Sequence, residues 1–376
     1  MRIFEKSFTL QKVFALECRL SKTRKNPKKD KYRKRDQRLK GGKMGGNISV
    51  FLDGTRTKAQ QVPLAKLKRS NFCNQIRDIL YSISDNLECW TPENIDSGEI
   101  FNGSSQYVFS PEYTDSEITK VKKTIGDVDV MIDSEYRDLL IKHLNCLDSE
   151  HFKGFVYNKN IDQIHSVFNV LGVNCQIDFE FTKFIDSKPS EFARFSHSSS
   201  FQDAQYGIKA VFHKFLIGAV TYTTSQNILI ADSNGKIVND GKQPKFAVFS
   251  VTDGFKIKYK PLYDKIRGEF VKRFGLQVFV KNKNPSSTNV KRFYKYLFNT
   301  ESLANYSKFW SFIGVCELIK ETFTRDKINE IHSKFCEMLQ NHKVSKNPDE
   351  DRELKYNAYS AFVNILGFED YFKYLF

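Results

Sequence analysis

The sequence predicts an α+β protein: a mixed sheet with flanking helices, followed by an all-helical C-terminal lobe. Three observations carry this expectation. Residues 175–184 alternate apolar and polar from Cys175 through Thr182, the period of a half-buried strand. Residues 126–132, GDVDVMI, alternate valine with aspartate and read as a second strand. Beyond about residue 260, apolar residues gather on helical faces, as in Leu303, Phe309, Phe312, Ile313, and at three- and four-residue intervals in Ile328, Ile331, Phe335, Leu339.

Taken in order, residues 1–20 read as a short amphipathic helix. The next segment, 22–43, holds twelve Lys or Arg against Asp30 and Asp36, and supplies ten of the chain's fifteen net positive charges. It contains Pro27 and almost no apolar side chains, a composition that cannot bury enough surface to fold alone. Glycines around 41–46 mark a boundary. Pro63 opens a helix carrying Leu64, Leu67, Phe72, Ile76, Ile79, Leu80 and Ile83 at helical spacing. A strand at 99–101 runs into Gly103-Ser104, and the stretch 110–124 forms its own capped helical turn. After the GDVDV strand, Ser134 caps a helix to Leu144. Residues 155–157 read as a strand, and 161–171 as a helix closed by Gly172. Residues 201–220 read as one long helix. Strands at 228–231 and 236–238 form a hairpin through Asp232-Ser233-Asn234-Gly235. The expected organisation is a basic tail (1–43), a mixed core (44–255) and a helical domain (256–376).

Composition narrows the function classes. Hydrophobic residues make up 40% and charged residues 27%, the balance of a folded globular protein rather than of a fibrous or disordered one. The seven cysteines are scattered without a CxxC pair, so neither a zinc site nor a disulfide framework is expected. No window approaches eighteen apolar residues, and charges interrupt the first twenty. A cytoplasmic protein without a membrane partner is therefore expected.

The chemistry concentrates in Gly126-Asp127-Val128-Asp129. Residues two apart on a strand share a face, so Asp127 and Asp129 project together. Adjacent carboxylates repel unless a cation lies between them, and Mg²⁺ or Mn²⁺, hard cations that prefer oxygen, are the expected cofactors. The 175–184 strand offers Asp178 as a third carboxylate, with Glu180 on the same face as its alternative. Upstream, Gly103, Ser104 and Ser105 offer backbone N–H groups and hydroxyls for phosphate oxygens.

In this order, Gly103-Ser104, Gly126-Asp127-Val128-Asp129 and Ile177-Asp178-Phe179 resemble the three motifs of the DNA polymerase beta-like nucleotidyltransferase superfamily. The opening Met44-Gly45-Gly46-Asn47 resembles that of its uncharacterised phage and fungal members. The resemblance spans roughly residues 44–220. It implies a nucleotidyltransferase-type mixed sheet with Asp127, Asp129 and Asp178 as catalytic and metal-binding residues. Gly103, Ser104, Ser105 and Gly126 would bind the nucleotide. Twenty-two residues separate Ser104 from Asp127, about twice the superfamily's spacing, and Asn102 replaces its usual apolar residue. The basic residue that often follows GS is missing, and Lys120, Lys122 or Lys123 can take over its phosphate contact. Lys209 and His213, four apart on the expected long helix, are further nucleotide-binding candidates. A half-buried core histidine is the competing reading of His213.

An NTP substrate follows from the resemblance, and the acceptor does not. The basic tail, with Lys256, Lys258, Lys260, Lys265, Arg267, Lys272 and Arg273, favours an RNA or DNA 3′ hydroxyl. A small-molecule or protein acceptor and a non-catalytic nucleic-acid-binding module are the alternatives. A glycosyltransferase DxD would account for the aspartate pair, but not for the GS strand or for Asp178.

Overall fold

The first described element is a hairpin of β1 (Ser49–Leu52) and β2 (Thr55–Lys58), turned by Asp53 and Gly54, both at positive φ. The computed structural model describes residues 48–376 apart from 85–86, 197, 225–227, 232–236, 240–244, 251–253, 260–262, 265–268, 271, 276–286, 371 and 373–376; between 228 and 289 it describes backbone alone. The expected basic tail and the opening at 44–47 lie outside the described residues.

β3 (Val62–Pro63) leads into α1 (Leu64–Leu67) and α2 (Arg69–Ser84). The periodicity predicts one helix here, but Lys68 at φ +57° divides it in two. The apolar stripe Phe72, Ile76, Leu80 and Ile83 is buried all the same. Next come α3 (Pro92–Asp96), β4 (Phe101–Asn102), α4 (Ser105–Phe109) and α5 (Asp115–Val121). α5 is the capped turn expected within 110–124: Thr114 and Glu117 cap it reciprocally. β5 (Thr124–Ile125) and β6 (Asp127–Asp133) follow, then a 3₁₀ turn and α6 (Arg137–Cys146). Ser134, the expected cap, lies inside the 3₁₀ turn; Asp133 caps that turn, its carboxylate accepting from Glu135 N at 3.0 Å, and α6 follows from Tyr136 without a side-chain cap.

β7 (Phe152–Asn158), β8 (Gln163–Val170) and β9 (Val173–Thr182) complete the central sheet. β8 overturns the helix expected at 161–171. Leu171 and Gly172, at φ +51° and +81°, form a two-residue turn that folds β8 back onto β9. The sheet order is β4-β6-β9-β8-β7, with β6 and β9 parallel and the other pairs antiparallel. A small hairpin of β10 (Phe184–Ile185) and β11 (Lys188–Pro189) ends this half.

The second half begins with α7 (Glu191–Ser196), α8 (Phe201–Gln205) and α9 (Ala210–Thr223). The single helix expected over 201–220 is broken at Gly207, whose φ is +68° and where a Cβ would meet Asn357 Nδ2 at 2.7 Å. The expected hairpin near 230 forms from β12 (Ile228–Ala231) and β13 (Ile237–Asn239). β14 (Lys245–Ser250) pairs with β15 (Gly254–Tyr259), β16 (Tyr263–Asp264) with β17 (Glu269–Phe270), and β18 (Lys272–Gly275) with β12. The expected boundary at 255/256 thus falls inside β15, and strands continue past residue 260. Four α-helices then follow among the described residues: α10 (Ser287–Phe298), α11 (Phe312–Thr322), α12 (Arg325–Asn341) and α13 (Pro348–Leu366).

The protein is α+β, and among the described residues it has two large apolar cores and a small cluster of Val50, Ala59 and Val167. The first runs from Val62 to Ala193 around the central sheet; the second runs from Phe195 to Phe372. α9 belongs to the second, because it is apolar on nearly every side: Phe212, Leu216, Ile217 and Val220 are fully buried among the C-terminal helices. No helix among the described residues is long and apolar enough to cross a membrane.

Candidate metal centre

The parallel register of β6 and β9 sets Asp129 beside Asp178 and Asp127 beside Gln176. On the reverse face, Val128, Val130, Ile177 and Phe179 are fully buried and fix both strands. One carboxylate oxygen from each of Asp127, Asp129 and Asp178 lies within 4.8 Å of the others. No other such group of three metal-ligating side chains occurs among the described residues. Burial, and then the charges of Glu180, Asp127 and Asp178, push Asp129 well above the usual carboxylate range, while Lys122 acts in the opposite direction. Three oxygen donors whose mutual repulsion a cation would relieve fit a hard divalent ion.

A turn from β4 closes over this cluster. Gly103 adopts φ +55°, and a Cβ there would lie 2.5 Å from Asp129 Oδ2, so only glycine brings the backbone this close. The buried Ser105 hydroxyl accepts a hydrogen bond from Asp129 N at 3.1 Å. Ser104 Oγ accepts from Lys122 Nζ at 2.8 Å. Lys122 reaches this position because Arg69 anchors the long segment before β6: its guanidinium donates to the carbonyls of Val108, Ser110 and Tyr113 at 2.6, 2.5 and 2.9 Å. Burial lowers the Lys122 pKa; Asp127 and Asp129 oppose that shift, and Lys209 adds to it.

Two further carboxylates have distinct settings. Gln176 Nε2 donates to Asp178 Oδ1 and Oδ2, each at 2.9 Å. His165, opposite Asp178 on β8, brings Nδ1 to 2.9 Å from Oδ1, an ion-pair distance, though off the line of a well-aligned hydrogen bond. Burial disfavours the charged ring, but Asp178, with Asp127 and Glu180 farther off, outweighs it and raises the His165 pKa. Glu180, the alternative to Asp178, accepts from Asn102 Nδ2 at 2.8 Å and from Gln163 Nε2 at 2.9 Å. With both oxygens held, Glu180 ties β4 to β8 rather than joining the trio. That tie also accounts for an asparagine at 102.

The other candidates fall into two groups. Gly103, Ser104 and Ser105 lie against the trio, and Gly126 is the bend that starts β6. Lys209 precedes α9 and pairs with Glu350 at 3.2 Å. His213 is buried in the second core, with Nε2 3.0 Å from the Phe309 carbonyl oxygen, and burial pushes its pKa down to about 4. Its surroundings are those of the core histidine, the competing reading of this residue. Gln163, His165 and Gln176 escaped sequence reasoning. Strand alternation in β8 was the signal for the first two, since positions 163 and 165 face Glu180 and Asp178.

No protein-family model matches this chain, and no curated protein or solved structure matches it either.

Proposed function

We propose that this chain is a metal-dependent nucleotidyltransferase of the DNA polymerase beta-like type, moving a nucleoside monophosphate from an NTP to an acceptor hydroxyl without a template. One observation supports it most: three aspartates on neighbouring parallel strands converge, and the Gly103-Ser104-Ser105 turn packs directly on one of them. A bound divalent cation, Mg²⁺ or Mn²⁺, would supply positive charge to the phosphate oxygens and to the attacking hydroxyl. Asp127, Asp129 and Asp178 would hold it.

The remaining roles fall to the chain's own groups. Lys122 and Ser104, already hydrogen-bonded to each other, would grip phosphate oxygens at the mouth of the turn. The acceptor oxygen attacks the α-phosphorus, the bond from that phosphorus to the bridging oxygen of the β-phosphate breaks, and pyrophosphate leaves. A carboxylate of the trio takes the hydroxyl proton. An RNA or DNA 3′ hydroxyl is the acceptor that the basic sequence at 22–43 favours. Incubation with α-labelled NTPs, Mg²⁺ or Mn²⁺ and total tRNA tests the reading. Label on RNA supports it; label on the protein or a small molecule keeps the reaction and changes the acceptor. No transfer under any condition refutes it.

A further inference from the structure

The geometry points to Gln176 as the residue that sets which cation the carboxylate trio accepts, by closing the bidentate face of Asp178. The inference rests on the metal-binding reading above. Gln176 is 3% exposed, and its side-chain amide is fixed at both ends. Its Oε1 accepts from Ile48 N at 3.3 Å, which orients the amide so that Nε2 faces Asp178. Nε2 then lies 2.9 Å from Oδ1 and 2.9 Å from Oδ2. A donor equidistant from both oxygens at hydrogen-bonding angles must sit on the open side of the carboxyl group, between the two inner lone pairs.

That is the position a cation takes when a carboxylate binds it through both oxygens. A carboxylate has about four lone-pair positions. The Gln176 amide covers the inner two, and His165 Nδ1 stands 2.9 Å from Oδ1. Asp178 is left with the outer sides of its two oxygens for a cation, which is single-oxygen ligation. Mg²⁺ takes about six ligands in a tight octahedron and is well served by single oxygens. Ca²⁺ takes about six to eight and often uses both oxygens of a carboxylate. Gln176 therefore disfavours the larger ion, and the Ile48 backbone at the entry to β1 holds it in that role.

The test is cation affinity, measured by calorimetric titration of the full chain with Mg²⁺, Mn²⁺ and Ca²⁺ separately. Gln176→Met keeps the side-chain length and removes the donors. It is expected to shift the Ca²⁺-to-Mg²⁺ affinity ratio toward Ca²⁺ by about tenfold or more, the usual range for residues behind metal ligands. Gln176→Asn keeps an amide but withdraws it by one methylene; a smaller shift in the same direction is expected, and this variant serves if Gln176→Met does not fold. If the parent binds divalent cations and neither folded variant changes the ratio, the role of Gln176 is refuted while the metal centre stands. If the parent binds none of the three ions, the metal centre itself is refuted, and this inference with it.

Discussion

Replacing His213 with glutamine is expected to remove a defined portion of the chain's acid sensitivity. The imidazole is buried and donates from Nε2 to the Phe309 carbonyl oxygen, and burial holds its pKa at about 4 against 6.5 for the free side chain. Between those values the unfolded chain binds a proton that the folded chain refuses, so stability is intact above pH 6.5 and falls as pH drops toward 4. At about 1.36 kcal/mol per pH unit, and with half of the folded molecules protonated at the lower limit, the loss at pH 4 is about 3 kcal/mol. Glutamine retains a neutral donor and does not titrate. The two tryptophans help the assay, since Trp90 lies in the first core and Trp310 packs against the second. In a Trp90→Phe background, urea unfolding followed by Trp310 fluorescence reports the second core at pH 7.5, 5.5 and 4. Asp203, which burial pushes up to about 6, contributes the opposite slope, with stability lost as pH rises from 3.8 through 6. That slope is common to both proteins and cancels in the difference. Parallel stability curves for parent and His213→Gln would refute the reasoning. So would an unchanged stability accompanied by a raised KM for NTP, which would make His213 a ligand.

Three further outcomes are expected. Asp127→Asn with Asp129→Asn should abolish nucleotide transfer and any melting-temperature rise caused by Mn²⁺, and should raise the metal-free melting temperature by removing like-charge repulsion; transfer at the parental rate would refute the site. Gly103→Ala should cost about 1–2 kcal/mol for its left-handed backbone and lower transfer far more, because the new methyl displaces Asp129; a variant with full activity would show that the turn does not set the carboxylate. Deleting residues 1–43 should leave transfer to a concentrated acceptor intact while flattening the salt dependence of RNA binding, by about 0.7 in log–log slope for each lost phosphate contact; filter binding across a salt series reads it, and an unchanged slope would remove the tail from the nucleic-acid contact.

Much of the site was legible because its residues obey a local rule. Strand alternation alone puts Asp127 with Asp129 and Asp178 with Glu180, and no tertiary information is needed to see it. What local pattern cannot supply is the partner of each strand. Ile164, Val167, Phe168 and Leu171 recur at helical spacing, yet they lie in and just after β8, where most positions are buried because the strand is interior to the sheet. With β8 read as a helix, His165 and Gln163 could not be seen to face the carboxylates. The choice between Asp178 and Glu180 likewise depended on the amides of Asn102 and Gln163, which arrive from other strands. The break at Gly207 follows from the close approach of Asn357 on α13, and the transfer of α9 to the second core from its packing against α12 and α11. A composition boundary drawn near residue 255 contains no sign of that packing.

The seam between the two cores passes through a single turn of helix. Ala193 is buried in the first core and Phe195 in the second, and residues two apart on a helix point about 200° away from each other. α7 is thus gripped from opposite sides, and the hydrogen bond from Tyr306 Oη to Glu191 Oε1, at 2.8 Å, fastens it to the C-terminal half as well. A fragment ending at 255 would keep α9 and discard α11 and α12, stranding Phe212, Leu216 and Ile217 in water. A cut near 194 would instead divide the turn that both halves hold. Protease nicks in loops elsewhere should accordingly leave two pieces that travel together through a sizing column until denaturant separates them.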